Sequence, residues 1–100
     1  MPLTTSFSDN KDEVTIRITG HFDFGVHKAF RDAYESSPKS AHFVVELSAA
    51  DSIDSSALGM LLLLREHAGN RSDRVILRGA GKSLLQVLAN SKFDTLFTLD

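Results

Sequence analysis

The stretch Ile53-Asp54-Ser55-Ser56-Ala57-Leu58-Gly59-Met60-Leu61-Leu62-Leu63-Leu64 decides how the chain is read. It opens on small polar residues of the kind that cap helices and runs straight into the most apolar block of the sequence. Just before it, His42-Phe43-Val44-Val45-Glu46-Leu47 has the composition of a strand apolar on both faces. A buried strand therefore feeds a loop, and the loop delivers two adjacent serine hydroxyls to the mouth of a helix. The first N–H groups of a helix lack intrahelical partners, and the helix dipole puts partial positive charge there. One reading of Asp54, Ser55 and Ser56 is a plain N-cap. The sharper reading makes one serine a site of reversible phosphorylation, because those N–H groups tolerate a phosphate. The modification adds about two negative charges. With Asp23, Asp51 and Asp54 near it, that charge is expected to change what docks there more than it changes the fold.

Outward from this stretch the chain divides into short elements. Upstream, Val14-Thr15-Ile16-Arg17-Ile18-Thr19 alternates apolar and polar, which predicts a strand with one wet face. Leu3 to Ser8 is a weaker strand, and the turn composition of Asp9-Asn10-Lys11-Asp12 joins the two as a hairpin. Gly20 to Gly25 reads as a loop bracketed by glycines. Val26, Ala29, Phe30 and Ala33 at helical spacing predict a helix over about Val26 to Glu35, stopped by Ser36-Ser37-Pro38.

Downstream, the central helix is expected to run to about Ala68. Gly69 ends it in a left-handed conformation, and Arg65 and His67 sit well at its negative end. Arg74-Val75-Ile76-Leu77 is another short strand. Ser83 to Gln86 has capping-box spacing and opens a helix to about Asn90. Phe93 to Leu99 closes the chain as a final short strand. Strands alternating with helices imply parallel pairing through right-handed crossovers. The predicted fold is thus α/β: a mixed four- to five-stranded sheet, an N-terminal hairpin plus parallel strands, with helices packed mainly on one face. No repeat or linker divides it, so residues 1–100 read as one domain.

A helical wheel sorts the central helix. At about 100° per residue, Ala57, Leu61, Leu64 and Ala68 form the core stripe. Ser56, Met60, Leu63 and His67 line up on a different face. Either the core is broad enough to take Met60 and Leu63 too, or they form an exposed apolar strip of the kind that marks a protein-binding surface. Gly59 beside them would let a partner approach the backbone closely.

Composition narrows the function classes. The chain is 42% hydrophobic and 24% charged, values of an ordinary globular protein. A net charge of −2 without a Lys/Arg cluster argues against nucleic-acid binding. The absence of cysteine excludes disulfides, thiol catalysis and Cys-based zinc sites. The longest apolar block is too short for a membrane span, and the N-terminus lacks the pattern of a signal peptide, so a bacterial-type cytoplasmic location is expected.

Two enzymatic alternatives are weighed. Gly79-Ala80-Gly81-Lys82-Ser83 looks like the end of a P-loop, yet the glycine that motif needs five positions before Gly81 is Ile76. Hydrolysis of a nucleotide is therefore disfavoured, and weak anion binding stays open. His21, His27, His42 and His67 show no spacing that identifies a base or a metal site, and they read as surface or strand-end residues.

The order of elements around Asp54-Ser55-Ser56-Ala57-Leu58-Gly59 resembles the STAS family, the domain of bacterial anti-sigma factor antagonists. Gly20-His21-Phe22-Asp23 is similar to that family's Gly-x-Leu-Asp. Val75-Ile76-Leu77-Arg78-Gly79 and Leu84-Leu85-Gln86-Val87-Leu88 fit its later strand and helix. Glu46 stands where the family often has Asp, and Ala57 where it often has Gly. The resemblance implies that Ser56 is the phosphoacceptor, with Ser55 as the fallback. It implies that the unphosphorylated form, a monomer, binds an anti-sigma factor that is also a serine kinase and so frees a sigma factor. A metal-dependent PP2C-type phosphatase reverses the modification, and the protein itself carries no cofactor, no metal and no enzymatic activity. The expected partner-binding residues are Asp23, Phe24, Ile53, Asp54, Ser55, Ser56, Ala57, Gly59, Met60 and Leu63. The alternative within the same family is a scaffold, or a regulator of another output such as motility or biofilm formation.

Overall fold

Strand β3 (His42–Ile53) lies at the centre of a five-stranded sheet. In the computed structural model, which describes residues 2–9, 12–38 and 40–100, the strand order is β1-β2-β3-β4-β5. The other strands are β1 (Leu3–Phe7), β2 (Glu13–Phe22), β4 (Val75–Arg78) and β5 (Thr98–Leu99). β1 pairs antiparallel with β2, and every later pairing is parallel. The crossovers carry α1 (His27–Glu35), α2 (Ser55–His67) and α3 (Lys82–Asn90). This is the α/β architecture that the alternation of elements predicts.

The register explains why the helices share one face. Val14, Phe43 and Val75 stand side by side across three strands, as do Ile16, Val45 and Leu77, and all six are buried. Onto this surface α1 packs Phe30 and Tyr34, α2 packs Ala57, Leu61 and Leu64, and α3 packs Leu84 and Leu88. The opposite face carries Thr15, Arg17, Glu46 and Arg78 around the buried Val44. Strands with one solvated face alternate, as β2 does. β3 sets Phe43, Val45 and Leu47 toward the helices; on its other face only Val44 is apolar and buried, beside half-buried Glu46, so the expected strand apolar on both faces is found only at Val44. The predicted core stripe of α2 holds throughout, from Ala57 to Ala68. Among the described residues no helix is long and apolar enough to cross a membrane.

Several boundaries differ from the sequence-based expectation. β3 continues six residues past Leu47, and the expected loop at Gly20–Gly25 is in part strand: Gly20, His21 and Phe22 pair with Ala50, Ser52 and Ile53. The register slips twice on the way, and Gly20 (φ 80°) sits at the second slip, in a conformation that suits glycine. Backbone pairing carries this extension, so the mostly polar and exposed Ser48–Ser52 leaves no apolar alternation to read. α1 begins at His27, after a single 3-10 turn at Phe24–Val26. The capping box at Ser83 does not form, because the cap of α3 falls two residues earlier, at Gly81, with no side-chain cap bond. The Phe93–Leu99 strand shrinks to two residues behind a 3-10 turn at Phe93–Thr95, since Phe93 and Phe97 are drawn into the core. Of the turn expected at Asp9–Asp12, Asn10 and Lys11 lie outside the described residues.

Candidate functional site

The last pairing of β2 with β3 sets Phe22 opposite Ile53, so the two residues that follow, Asp23 and Asp54, leave the sheet together. The Asp54 N–H donates to the Phe22 carbonyl (3.3 Å), which ties the exits of the two strands. Each aspartate then starts a helical turn. Asp23 Oδ1 accepts the Gly25 N–H (2.9 Å) and caps the 3-10 turn. Asp54 Oδ1 accepts the Ala57 N–H (2.9 Å) and caps α2. A single residue thus separates β3 from α2, in place of the longer loop that the sequence suggests.

The same Asp54 oxygen accepts the Ser56 hydroxyl (2.7 Å). The Ser56 bond first, and the Ala57 N–H second, hold the Asp54 carboxyl below the usual aspartate range. Ser56 is partly exposed and Ser55 is exposed. Both hydroxyls lie at the solvent boundary, at the positive end of a helix. The plain N-cap is therefore present, contributed by Asp54, and Ser56 is left with a reachable hydroxyl.

Beside this polar mouth lies an apolar rim, though not the strip that the wheel drew. Met60 is 8% exposed while Leu63 is 55% exposed. Met60 sits about 60° round the wheel from Ala57, close enough to the core stripe to pack beneath α1. Leu63, about twice as far round, is carried out to solvent. Ala57 is fully buried and half-buried Ile53 packs against the core, so Ala57 and Met60 belong to the interior and present almost no surface of their own. Gly59 is exposed with open space about its Cα. Phe24 is 61% exposed and stacks on His27 with centroids 3.8 Å apart, while His27 Nδ1 bonds the Phe24 carbonyl. Leu62 adds a further exposed apolar side chain on α2.

Between α1 and α2 the rim encloses a cleft of about 110 Å³, formed by Phe24, His27, Phe30, Arg31, Met60 and Leu63 among others. Tyr34 and Leu63 also line an adjoining open hollow of about 670 Å³ near the C-terminal end of α2, where Glu66, Arg71 and Arg74 are exposed or half-buried. His67 also lines that hollow; it is half-buried, so the expectation of a surface or strand-end residue holds only in part. Its ring packs 5.1 Å from Tyr34 and 5.9 Å from Phe43, and Nε2 is buried with no hydrogen-bond partner. Burial, with Glu35 secondary, pushes the Tyr34 hydroxyl up. The pairing of His21 Nδ1 with Ser52 Oγ (2.7 Å) across β2 and β3 was equally illegible, since the residues lie far apart in sequence.

The second strand-to-helix junction, Gly79-Ala80-Gly81, has another chemistry. Gly79 takes φ 75° and donates its N–H to the Asp100 carbonyl (3.1 Å). Arg78 lies between Glu46 (3.9 Å) and Asp100 (3.6 Å). These three residues make a shorter connection than a phosphate-wrapping loop requires.

Comparison with known proteins places these features in a lineage. Residues 5–99 match the family model described as "Mlab, STAS domain". A STAS-domain containing protein of Pseudomonas aeruginosa (strain UCBPP-PA14) is 45% identical over 102 residues, which span 99% of each chain. Among solved structures, an anti-sigma factor antagonist described as putative, from Thermotoga maritima, superposes with a TM-score of 0.80 at 16% identity, covering 97% of this chain and 84% of that one. The anti-sigma factor antagonist SpoIIAA in its unphosphorylated form gives 0.76 at 16% identity, covering 98% and 86%.

Proposed function

The chain belongs to the STAS domain family, and from that premise we propose that it is a phosphorylation-switched anti-sigma factor antagonist. Unphosphorylated, it binds an anti-sigma factor that is also a serine kinase and so releases a sigma factor. The kinase modifies Ser56, and a PP2C-type phosphatase restores the binding form. In this reading the protein is a cytoplasmic monomer of one domain, and it does its work by docking, with no chemistry of its own.

The observation that supports it most is the Ser56 hydroxyl, within reach of solvent at the mouth of α2, on a molecule that also exposes Phe24 before α1 and Leu63 further along α2. A phosphate there stands beside the Asp54 carboxylate, which already bonds the Ser56 oxygen. Docking over the site would desolvate that phosphate next to a like charge, and an uncompensated buried charge costs several kcal/mol. About 1.4 kcal/mol is tenfold in affinity, so one phosphate is enough to break a moderate complex.

The test is co-purification from the native cell with Ser56→Ala and Ser56→Asp, followed by binding measurements on the captured kinase and mass-spectrometric mapping of the modified residue. Ser56→Ala is expected to hold the kinase and Ser56→Asp to lose it by at least tenfold. Equal binding by the two, together with no phosphate on Ser56 or Ser55 in the native protein, sinks the reading.

A further inference from the structure

The cleft between α1 and α2 is too small for a metabolite. At about 110 Å³ it falls well below the roughly 300–1,000 Å³ of small-molecule pockets and suits one side chain. Its walls are apolar, its charged residue is Arg31, and no carboxylate lines it among the described residues. The Arg31 guanidinium is weakly engaged: Glu35 stands 4.0 Å away, and both side chains are more than half exposed. Such a pair is worth little in water, so an incoming carboxylate competes easily. In a chain of net charge −2 whose nearby helix mouth is acidic, this makes the cleft a local cationic exception.

The shape adds direction. Tyr34 and Leu63 line both the cleft and the hollow beyond it, so the two lie end to end and share these side chains as a common wall, which together we call the seam. Seams between packed helices receive a third helix, with its apolar anchor in the groove. The hollow presents charges of both signs, Glu35 and Glu66 with Arg71 and Arg74, so the next turn of the guest is polar. We propose that this seam seats an acidic amphipathic helix of the partner, with one large apolar side chain in the cleft and an adjacent carboxylate on Arg31. Ser56 lies one helical turn before Met60, a residue of the cleft wall, so a phosphate on Ser56 opposes that same carboxylate. This last link rests on the proposed function; the seating of the helix does not.

The experiment uses three synthetic helical peptides titrated into the ¹⁵N-labelled protein. One carries a leucine flanked by glutamates, its twin has lysines in their place, and the third has alanine for the leucine. The glutamate peptide is expected to shift the resonances of Phe24, Arg31 and Leu63 and to bind at least tenfold tighter than its twin. Alanine for leucine abolishes binding. Arg31→Glu reverses the preference, and Arg31→Gln, the milder variant, erases it; protein phosphorylated on Ser56 binds the glutamate peptide at least fivefold more weakly. Equal affinities for the charge twins, shifts confined to the exposed sheet face, or self-association through the same residues without peptide would each overturn the proposal. If the native kinase is still lost on phosphorylation while the peptides ignore Arg31, the seam proposal falls and the proposed function stands. If the peptides behave as expected and the native protein shows no serine switch, the reverse holds.

Discussion

Two parallel strands hand the chain to a helix at the same end of the sheet, β3 through Asp54 alone and β4 through Gly79-Ala80-Gly81. Topologically the junctions are twins, and each leaves a helix N-terminus with free N–H groups and positive potential. Their side chains set them apart. The first has a carboxylate cap, two serines and an apolar rim. The second has a bare glycine cap beside the Glu46–Arg78–Asp100 cluster. A crossover thus supplies the field, and the residues seated in it decide whether hydroxyls and an apolar rim or a bare glycine turn stand in it.

The comparison breaks most sharply at Gly79. A Cβ there would stand 2.7 Å from Glu46 Oε1 and 3.3 Å from the Ser48 backbone nitrogen, in a left-handed conformation. Gly79→Ala is expected to destabilise the protein by about 2 kcal/mol, read as a lower urea midpoint, because the second junction depends on backbone geometry.

At the first junction the effect is smaller and depends on pH. Asp54→Ala removes the cap and lowers the midpoint less than Gly79→Ala does; Asp54→Asn keeps the Ala57 hydrogen bond and costs less still. Because the folded Asp54 carboxyl is held below its unfolded value of about 3.9, its contribution is complete above that pH and fades as pH falls through the lower folded value. The wild-type and Asp54→Asn urea midpoints should therefore converge as the pH is lowered through and below the ordinary aspartate value. Curves that stay parallel would show that the carboxylate charge does not matter at this cap.

The smallest effect sharpens the contrast. Gly81 has an extended backbone (φ −68°, ψ 172°) and open space where a side chain would go, so Gly81→Ser should add the missing cap and a few tenths of a kcal/mol. A larger gain would mean that the second junction had been under more strain than its geometry implies.

Much of this was legible because it is local. The alternation of Val14, Ile16 and Ile18 and the Ala57–Leu61–Leu64–Ala68 stripe each carry their periodicity in the chain itself, and each appears as expected, as does the strand at Phe43–Leu47, though its outer face is apolar only at Val44. Gly69 ends α2 at φ 88° as its sequence position suggests. The β2–β3 extension was not legible, because the backbone bonds that hold it leave no mark on the choice of side chains. Nor was the packing of the His67 ring, which depends on Tyr34 and Phe43 arriving from other elements.

By itself, the sequence determined the α/β alternation, the apolar centre of the sheet and a helix that begins Asp-Ser-Ser, since hydrophobic period and capping chemistry act over a few residues. Only the tertiary structure decided which side of α2 faces outward. The position of α1 buries Met60 and releases Leu63, and it brings Phe24 to the same rim. Whether an apolar side chain is core or surface depends on what packs against it, and that neighbour lies some thirty residues away in the chain.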